Sequence, residues 1–164
     1  MSFNQKLTIA GKIFFGSPDA ISFHGNIDLV NYGGVDWSPA GVIKVLKGKS
    51  AGKVGNLIDG GGAVGFDIGG SFIVTEYFYS GNANDININD FTGFRVGASA
   101  GFSFLLEGGM GVSYAPVSNG EYIIGIVVSV SIPIGFKLLR TEHKHIFITH
   151  LVILDHSQGR KSFT

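Results

Sequence analysis

The sequence predicts a mainly β protein, with about eight antiparallel strands in a small barrel or strongly curled sheet and one short helix. Three observations support this fold. Apolar residues occupy every second position along most of the C-terminal two-thirds of the chain. Glycine and serine fill many positions of the opposite parity, which is typical of a tightly curled sheet. Turn residues such as Asn119-Gly120 separate the alternating stretches and favour hairpins.

Length and composition indicate one domain and exclude several functions. The 164 residues contain no internal repeat, so a single β-rich domain is predicted over residues 1–164. Basic and acidic residues both number 12, which gives the chain no electrostatic attraction to nucleic acid. The chain has no cysteine, so it can form neither a disulfide nor a thiolate metal site. No cofactor is expected.

The compartment stays open at this point. Charged residues make up only 15% of the chain, which favours a large buried or lipid-facing area. The first residues, MSFNQKLTIAGK, lack the basic and apolar regions of a secretory signal. No apolar stretch reaches the roughly 18 residues of a transmembrane helix. An outer-membrane location, or secretion as a mature or excised domain, is compatible with these features.

Two strands are predicted near the N-terminus. In KLTIAGKIF, the residues Leu7, Ile9, Gly11 and Ile13 alternate with polar and small residues. After the turn residues GSPD, the segment AISFHGNIDLVNY alternates in the same way. The two segments are therefore expected to pair as a hairpin whose polar face meets water.

The one helix is predicted from about Pro39 to Lys47. Ser38 is suited to the N-cap and Pro39 to the first helical position. Gly48 is suited to the position that follows a helix, where left-handed backbone is common. A strand is the alternative, because valine and isoleucine also favour strands.

The two-residue period dominates from Ala63 onwards. The clearest example is EYIIGIVVSVSIPIGF, in which each even-numbered position from Tyr122 to Phe136 is apolar. The final segment HIFITHLVILD is apolar at both parities, which predicts a strand buried on both faces beneath the helix. The residues expected to face lipid or an apolar ligand are Phe102, Phe104, Ile124, Ile126, Val128 and Val130.

Two polar segments resemble binding motifs but fail on spacing. In GKSAGKV the two glycines are one residue too close for a phosphate loop, and Val54 replaces the magnesium-binding hydroxyl. In NDININD the sixth position of a calcium loop is Asp90 instead of glycine, and the twelfth is Val96 instead of glutamate. Both segments are therefore expected to be polar loops.

The late basic residues offer a weak catalytic candidate. His143 and His145 would share one face of a strand, and Arg140 lies just before them. No third metal ligand is evident, so no metal site is predicted. The Gly-x-Ser-x-Gly turn of a serine hydrolase is also absent. An enzyme is therefore the least favoured class.

Three functional hypotheses remain. The first is a membrane-active β protein, either an outer-membrane-type barrel or a pore-forming effector, which buries its apolar strand face in lipid or in a homo-oligomer seam. The second is a soluble barrel or sandwich that binds an apolar small molecule or a protein partner. The third is a small hydrolase or nuclease that uses the late histidines.

Two arguments count against the membrane hypothesis. The strand that begins at Glu121 and the one from Ala63 span about sixteen residues, against the roughly 9–11 that cross a bilayer. The two N-terminal strands also carry polar residues opposite their apolar side, which suits a surface in water. In favour of the hypothesis, aromatic residues at predicted strand ends would form an interfacial girdle. These aromatic residues are Tyr77, Phe78, Tyr79, Phe91 and Phe94.

Overall fold

The fold was examined in a computed structural model, which describes residues 2–103, 107–132 and 141–154. One α-helix, α1, spans Phe3–Phe14. Two short 3-10 helices span Ala83–Asp85 and Ile88–Phe91. The strands are β1 (Ala20–Val45), β2 (Val54–Tyr79), β3 (Gly93–Ser103), β4 (Glu107–Pro116), β5 (Tyr122–Ile132) and β6 (Thr141–Leu154).

The strands form a closed antiparallel barrel of eight spans, which confirms the predicted fold class. Strands β1 and β2 are each 26 residues long and supply two spans each. The second half of β2 pairs with β5, and its first half pairs with β6. Strands β3 and β4 complete the ring between β6 and β5.

The barrel closes where the two halves of β1 meet. The Leu46 amide donates to the Asp19 carbonyl at 2.8 Å, and the Ser38 hydroxyl donates to the Asn26 side chain at 2.7 Å. These two contacts join the first and last parts of β1 and close the ring. The stagger between paired strands adds up to about ten residues around the ring, which corresponds to strands tilted by roughly 40°.

One end of the barrel is filled by an apolar plug. The 3-10 helices insert Ile88 and Phe91 beneath the strands, where Phe91 packs edge-on against Tyr77 at 5.5 Å between ring centroids. Each large side chain buried in this way stabilises the fold by about 1.5–3 kcal/mol. The plug comprises Ile43, Val45, Leu57, Tyr77, Tyr79, Ile86, Ile88, Phe91, Ala115, Ile123 and Leu151.

The helix position predicted from the sequence is wrong. Pro39–Lys47 is not helical, because its residues through Val45 continue β1. The Ser38 hydroxyl bonds Asn26 instead of capping a helix, and a register shift between Ser38 and Gly41 accommodates Pro39. The apolar residues Ile43 and Val45 point into the plug.

The N-terminal strand prediction is also wrong, because KLTIAGKIF lies within α1. The Ser2 and Gln5 side chains form a reciprocal capping box at the start of this helix. In the helix, the alternating apolar residues do not share one face. Ile9 is buried against the barrel wall, whereas Leu7 is exposed. The segment AISFHGNIDLVNY therefore pairs with β2 and not with an N-terminal strand.

The last strand is correctly predicted as β, but its environment is not. Strand β6 lies between β2 and β3, and Ile146, Ile148 and Val152 are exposed on the outside of the barrel. Although β6 is apolar at both parities, only one of its faces is buried in the barrel. The predicted turn at Asn119-Gly120 is confirmed, because Gly120 has φ +83° and the Val117 amide donates to the Glu121 carbonyl at 2.8 Å.

Candidate functional site

The outer wall of the barrel carries a continuous set of exposed apolar side chains, here called the outer belt. Its members alternate with inward-facing residues along the strands, because successive side chains of a strand point to opposite faces. The belt comprises Phe23, Ile27, Trp37, Val42, Ile58, Val64, Phe72, Phe94, Val96, Met110, Val112, Tyr114, Val128, Val130, Ile146, Ile148 and Val152.

Polar side chains mark the edge of the outer belt at the plugged end. Lys44, Asn56 and Glu76 are exposed and lie near the ends of β1 and β2 that adjoin the plug. Between this edge and the far end of the barrel, β3, β4 and β5 extend for 11, 10 and 11 residues. Polar side chains therefore interrupt the belt near the plugged end, and Val54 beyond them is again apolar and 52% exposed.

The interior above the plug is polar. Eight buried side chains from four strands line this level, and we call them the interior polar cluster. The set comprises Ser22, His24, Asn26, Ser38, Asp59, Thr75, Arg95 and Ser113. Beyond the cluster, the inward positions of β3 and β4 are small residues such as Gly97, Ser99 and Gly111.

Arg95 connects the interior polar cluster to the plug. Its guanidinium donates to the Tyr77 hydroxyl and to the Phe91 carbonyl, both at 3.0 Å. The Tyr77 hydroxyl also lies 3.1 Å from the Ser22 hydroxyl. These two hydrogen bonds offset part of the cost of burying the Arg95 cation.

Three buried atoms of the cluster have no hydrogen-bond partner among the residues that the structure describes. They are Nδ1 of His24, Oδ1 of Asp59 and Nε of Arg95. Buried polar atoms are usually paired, so these three atoms are free to bind a small polar ligand such as water. The cluster is therefore suited to hold ordered water inside the barrel.

Above the plug, the distribution of polar and apolar side chains is opposite to that of a typical soluble barrel. A soluble barrel packs apolar side chains inside and exposes polar ones. Here the apolar side chains cover the outside, and a buried arginine, histidine and aspartate occupy the middle of the interior. This distribution of polarity, and not any one residue, is the candidate functional feature.

The residues predicted to face lipid or a ligand lie as follows. Ile124, Ile126, Val128 and Val130 share the outer face of β5, and the first two are partly covered by Ile9 and Phe78. Phe102 belongs to β3, but its side chain is outside the described part, and Phe104 is outside the described residues altogether.

The weak catalytic candidates are not brought into a described constellation. His143 pairs with Gly101 in the sheet, and His145 pairs with Gly65 and Ser99, but their side chains are outside the described part. Arg140 lies outside the described residues. Within residues 2–103, 107–132 and 141–154, no group of three potential metal ligands is found.

The predicted aromatic girdle is largely wrong. Tyr77, Tyr79 and Phe91 belong to the plug, and Phe78 is covered by α1. Of the five aromatic residues, Phe94 alone is exposed on the outer wall. The parity of Tyr77 and Tyr79 turns them inward, because they lie on the same face of β2 as Thr75.

The interior polar cluster was not predicted from the sequence. A signal was present in β3, where Arg95 stands at an inward position between Gly93 and Gly97. An isolated charge in a row of small residues is unusual on a water-facing sheet. His24 and Asp59 gave no comparable signal, because each stands among other polar residues or glycines.

Comparisons with known proteins do not identify this chain. No family model matches it, and no curated protein matches it. One structure that aligns with it is the red fluorescent protein lanRFPdam after prolonged X-ray irradiation, at 9% identity over 82% of this chain and 97% of that chain. The TM-score of 0.27 is too low to support an argument about fold or function. No helix in the described part is long and apolar enough to cross a membrane.

Proposed function

We propose that this protein is an integral membrane β-barrel, whose outer belt contacts the hydrocarbon of a lipid bilayer. The observation that carries the proposal is the exposure of large apolar side chains around the whole wall. Phe72 on β2 is 69% exposed, Val130 on β5 51% and Ile146 on β6 60%. An apolar surface of this extent on a soluble monomer would be an aggregation site.

Span length supports the same proposal. A bilayer is crossed by roughly 9–11 residues of a tilted strand. Strands β3, β4 and β5, at 10 or 11 residues, meet this requirement. The apparent sixteen-residue strand after Ala63 is part of β2, which bends and divides its pairing between β6 and β5. The length argument therefore does not apply to the strand from Ala63, whereas the end of the stretch from Glu121 to Phe136 lies outside the described residues.

The plug favours an anchored, closed barrel over a pore. Tyr77, Tyr79 and Phe91 are each about 1% exposed, so they fill the interior at one end. A conducting barrel of this type needs a continuous polar lumen. A non-conducting membrane protein is therefore favoured over a pore-forming effector. A soluble ligand-binding barrel is the competing outcome of the experiments below.

The single tryptophan tests the proposal directly. Trp37 lies in the outer belt and is 49% exposed. In phosphatidylcholine vesicles whose acyl chains carry bromine, we expect its emission to shift to shorter wavelength and to be strongly quenched. The same vesicles without bromine serve as the control. A protein that stays monomeric in plain buffer, with Trp37 unquenched by brominated lipid, would contradict the proposal.

A charge placed in the outer belt gives a second, energetic test. Val128→Arg is expected to lower the free energy of unfolding by about 2–4 kcal/mol in vesicles, because arginine is costly in the hydrocarbon. Asn56→Arg, at the polar edge of the belt, is expected to cost less than about 1 kcal/mol. Urea titration of vesicle-bound protein measures both. In a soluble barrel, the half-exposed Val128 site would tolerate arginine within about 0.5 kcal/mol.

A further inference from the structure

Helix α1 is fixed to the barrel wall by one of its faces. Ile9 is buried against Phe78 and Tyr122 on the outside of the plugged end. On the same side, the Gln5 amide donates to the Glu121 carboxylate at 3.0 Å. The Lys12 ammonium donates to the Tyr79 carbonyl at 2.7 Å. The orientation of α1 around its own axis is therefore set by contacts along its whole length.

A second face of α1 is apolar and turned away from the wall. Phe3, Leu7 and Phe14 are 77%, 64% and 85% exposed. At 3.6 residues per turn, these three side chains fall on one side of the helix, roughly 140° from Ile9. Apolar side chains at this spacing normally bury themselves against another element. Among the described residues, these three side chains belong to neither the plug nor the cluster around Ile9.

A third face of α1 is polar. Asn4 and Thr8 are exposed and lie between the apolar face and the side that carries Gln5 and Lys12. A helix that packs on a soluble protein needs two faces, one for the protein and one for water. The three faces of α1 indicate that it meets an apolar and an aqueous environment in addition to the barrel.

We infer that α1 lies in the headgroup region of the bilayer, with Phe3, Leu7 and Phe14 inserted among the lipid chains. This inference rests on the proposed membrane function. The helix is seated on the apolar wall itself, because Ile124 and Ile126 lie beneath its Ile9 side and Val128 follows on the outer face of the same strand. The helix also lies at the plugged end, where Lys44, Asn56 and Glu76 mark the edge of the belt.

This arrangement is typical of an interfacial helix, which lies flat with its apolar face at the headgroup–acyl boundary. Fixed to the wall by Gln5, Ile9 and Lys12, α1 would set the depth of the barrel in one leaflet. The plugged end would then be the end held at the membrane surface. The occupant that we assign to the apolar face of α1 is lipid and not a second copy of the chain.

The absence of cysteine allows a site-directed depth measurement. Leu7→Cys, Thr8→Cys and Val128→Cys are each labelled with a nitroxide and reconstituted in phosphatidylcholine vesicles. Collision rates with dissolved oxygen and with a water-soluble nickel chelate then report the depth of each label. We expect the label at Val128 in the hydrocarbon, the label at Leu7 just below the phosphates, and the label at Thr8 in water. Circular dichroism checks that each variant is folded.

The outcomes separate the two proposals. A label at Leu7 in water, with Val128 in hydrocarbon, overturns the interfacial helix and leaves the membrane barrel standing. A label at Leu7 shielded from both reagents indicates a protein contact and also overturns the inference. Labels at both Leu7 and Val128 in water overturn the proposed function itself. A Leu7 label below the phosphates and a Thr8 label in water support the assignment.

Discussion

Replacing Asp19 with alanine is expected to lower the free energy of unfolding by about 3–5 kcal/mol, because the change removes one partner of a buried ion pair. The Asp19 carboxylate is fully buried and lies 2.9 Å from the Lys12 ammonium. It also accepts a hydrogen bond from the Tyr79 amide at 2.7 Å. Without the carboxylate, the largely buried Lys12 ammonium and the Tyr79 amide each lose this partner.

The second lysine at Asp19 contributes less. The Lys47 ammonium is 3.5 Å from the carboxylate and 31% exposed, so it can turn to water when Asp19 is removed. The measurement is urea unfolding in detergent micelles, with the exposed Asp85→Ala as the control. Since Asp19 also joins α1 to both ends of β1, the Asp19→Ala protein should lose protection of α1 from proteases. If Asp19→Ala lowers the free energy of unfolding no more than Asp85→Ala does, the ion pair does not stabilise the barrel.

The second large effect is expected from a single methyl group at Gly48. Gly48 has φ +77°, which disfavours any side chain. A Cβ atom at this position would also collide with the carbonyl oxygen of Ala83, which is backbone and cannot rotate away. We expect Gly48→Ala to cost more than about 3 kcal/mol or to prevent folding, because the loop and the first 3-10 helix must separate.

Gly52 provides a matched control in the same loop. Its φ is +85°, and a Cβ atom there would meet nothing within 4 Å. Gly52→Ala therefore carries only the backbone strain, about 1–2 kcal/mol. The difference between the two variants, measured by urea unfolding under identical conditions, isolates the contact with Ala83. Equal costs for both variants would mean that the loop moves freely away from the 3-10 helix.

The sequence predicted the strands better than it predicted their surroundings. Alternation on β5 placed Ile124, Ile126, Val128 and Val130 on one face, because the side-chain period of a strand is a local property. Alternation does not decide whether that face lies inside or outside a barrel. That choice depends on the sense in which the sheet curls, which involves every strand at once.

The local errors have physical causes of the same kind. Ser38 and Pro39 are good helix starters by themselves, but closure of the barrel brings Asn26 to Ser38 and keeps β1 extended. At the N-terminus, the capping box of Ser2 and Gln5 outweighed a short alternation. The interior polar cluster could not be predicted, because His24, Asp59 and Arg95 come from three strands and meet only through the stagger of the ring.

The divided pairing of β2 has a consequence for how the molecule is made. One edge of β2 is completed partly by β5 and partly by β6, and β6 follows β3, β4 and β5 in the chain. Until β6 arrives, the first half of β2 presents unpaired amide and carbonyl groups, a template for association with other nascent chains. The wall therefore seals only after β6 has been synthesised. Until then, the incomplete chain has to be kept from associating with its neighbours.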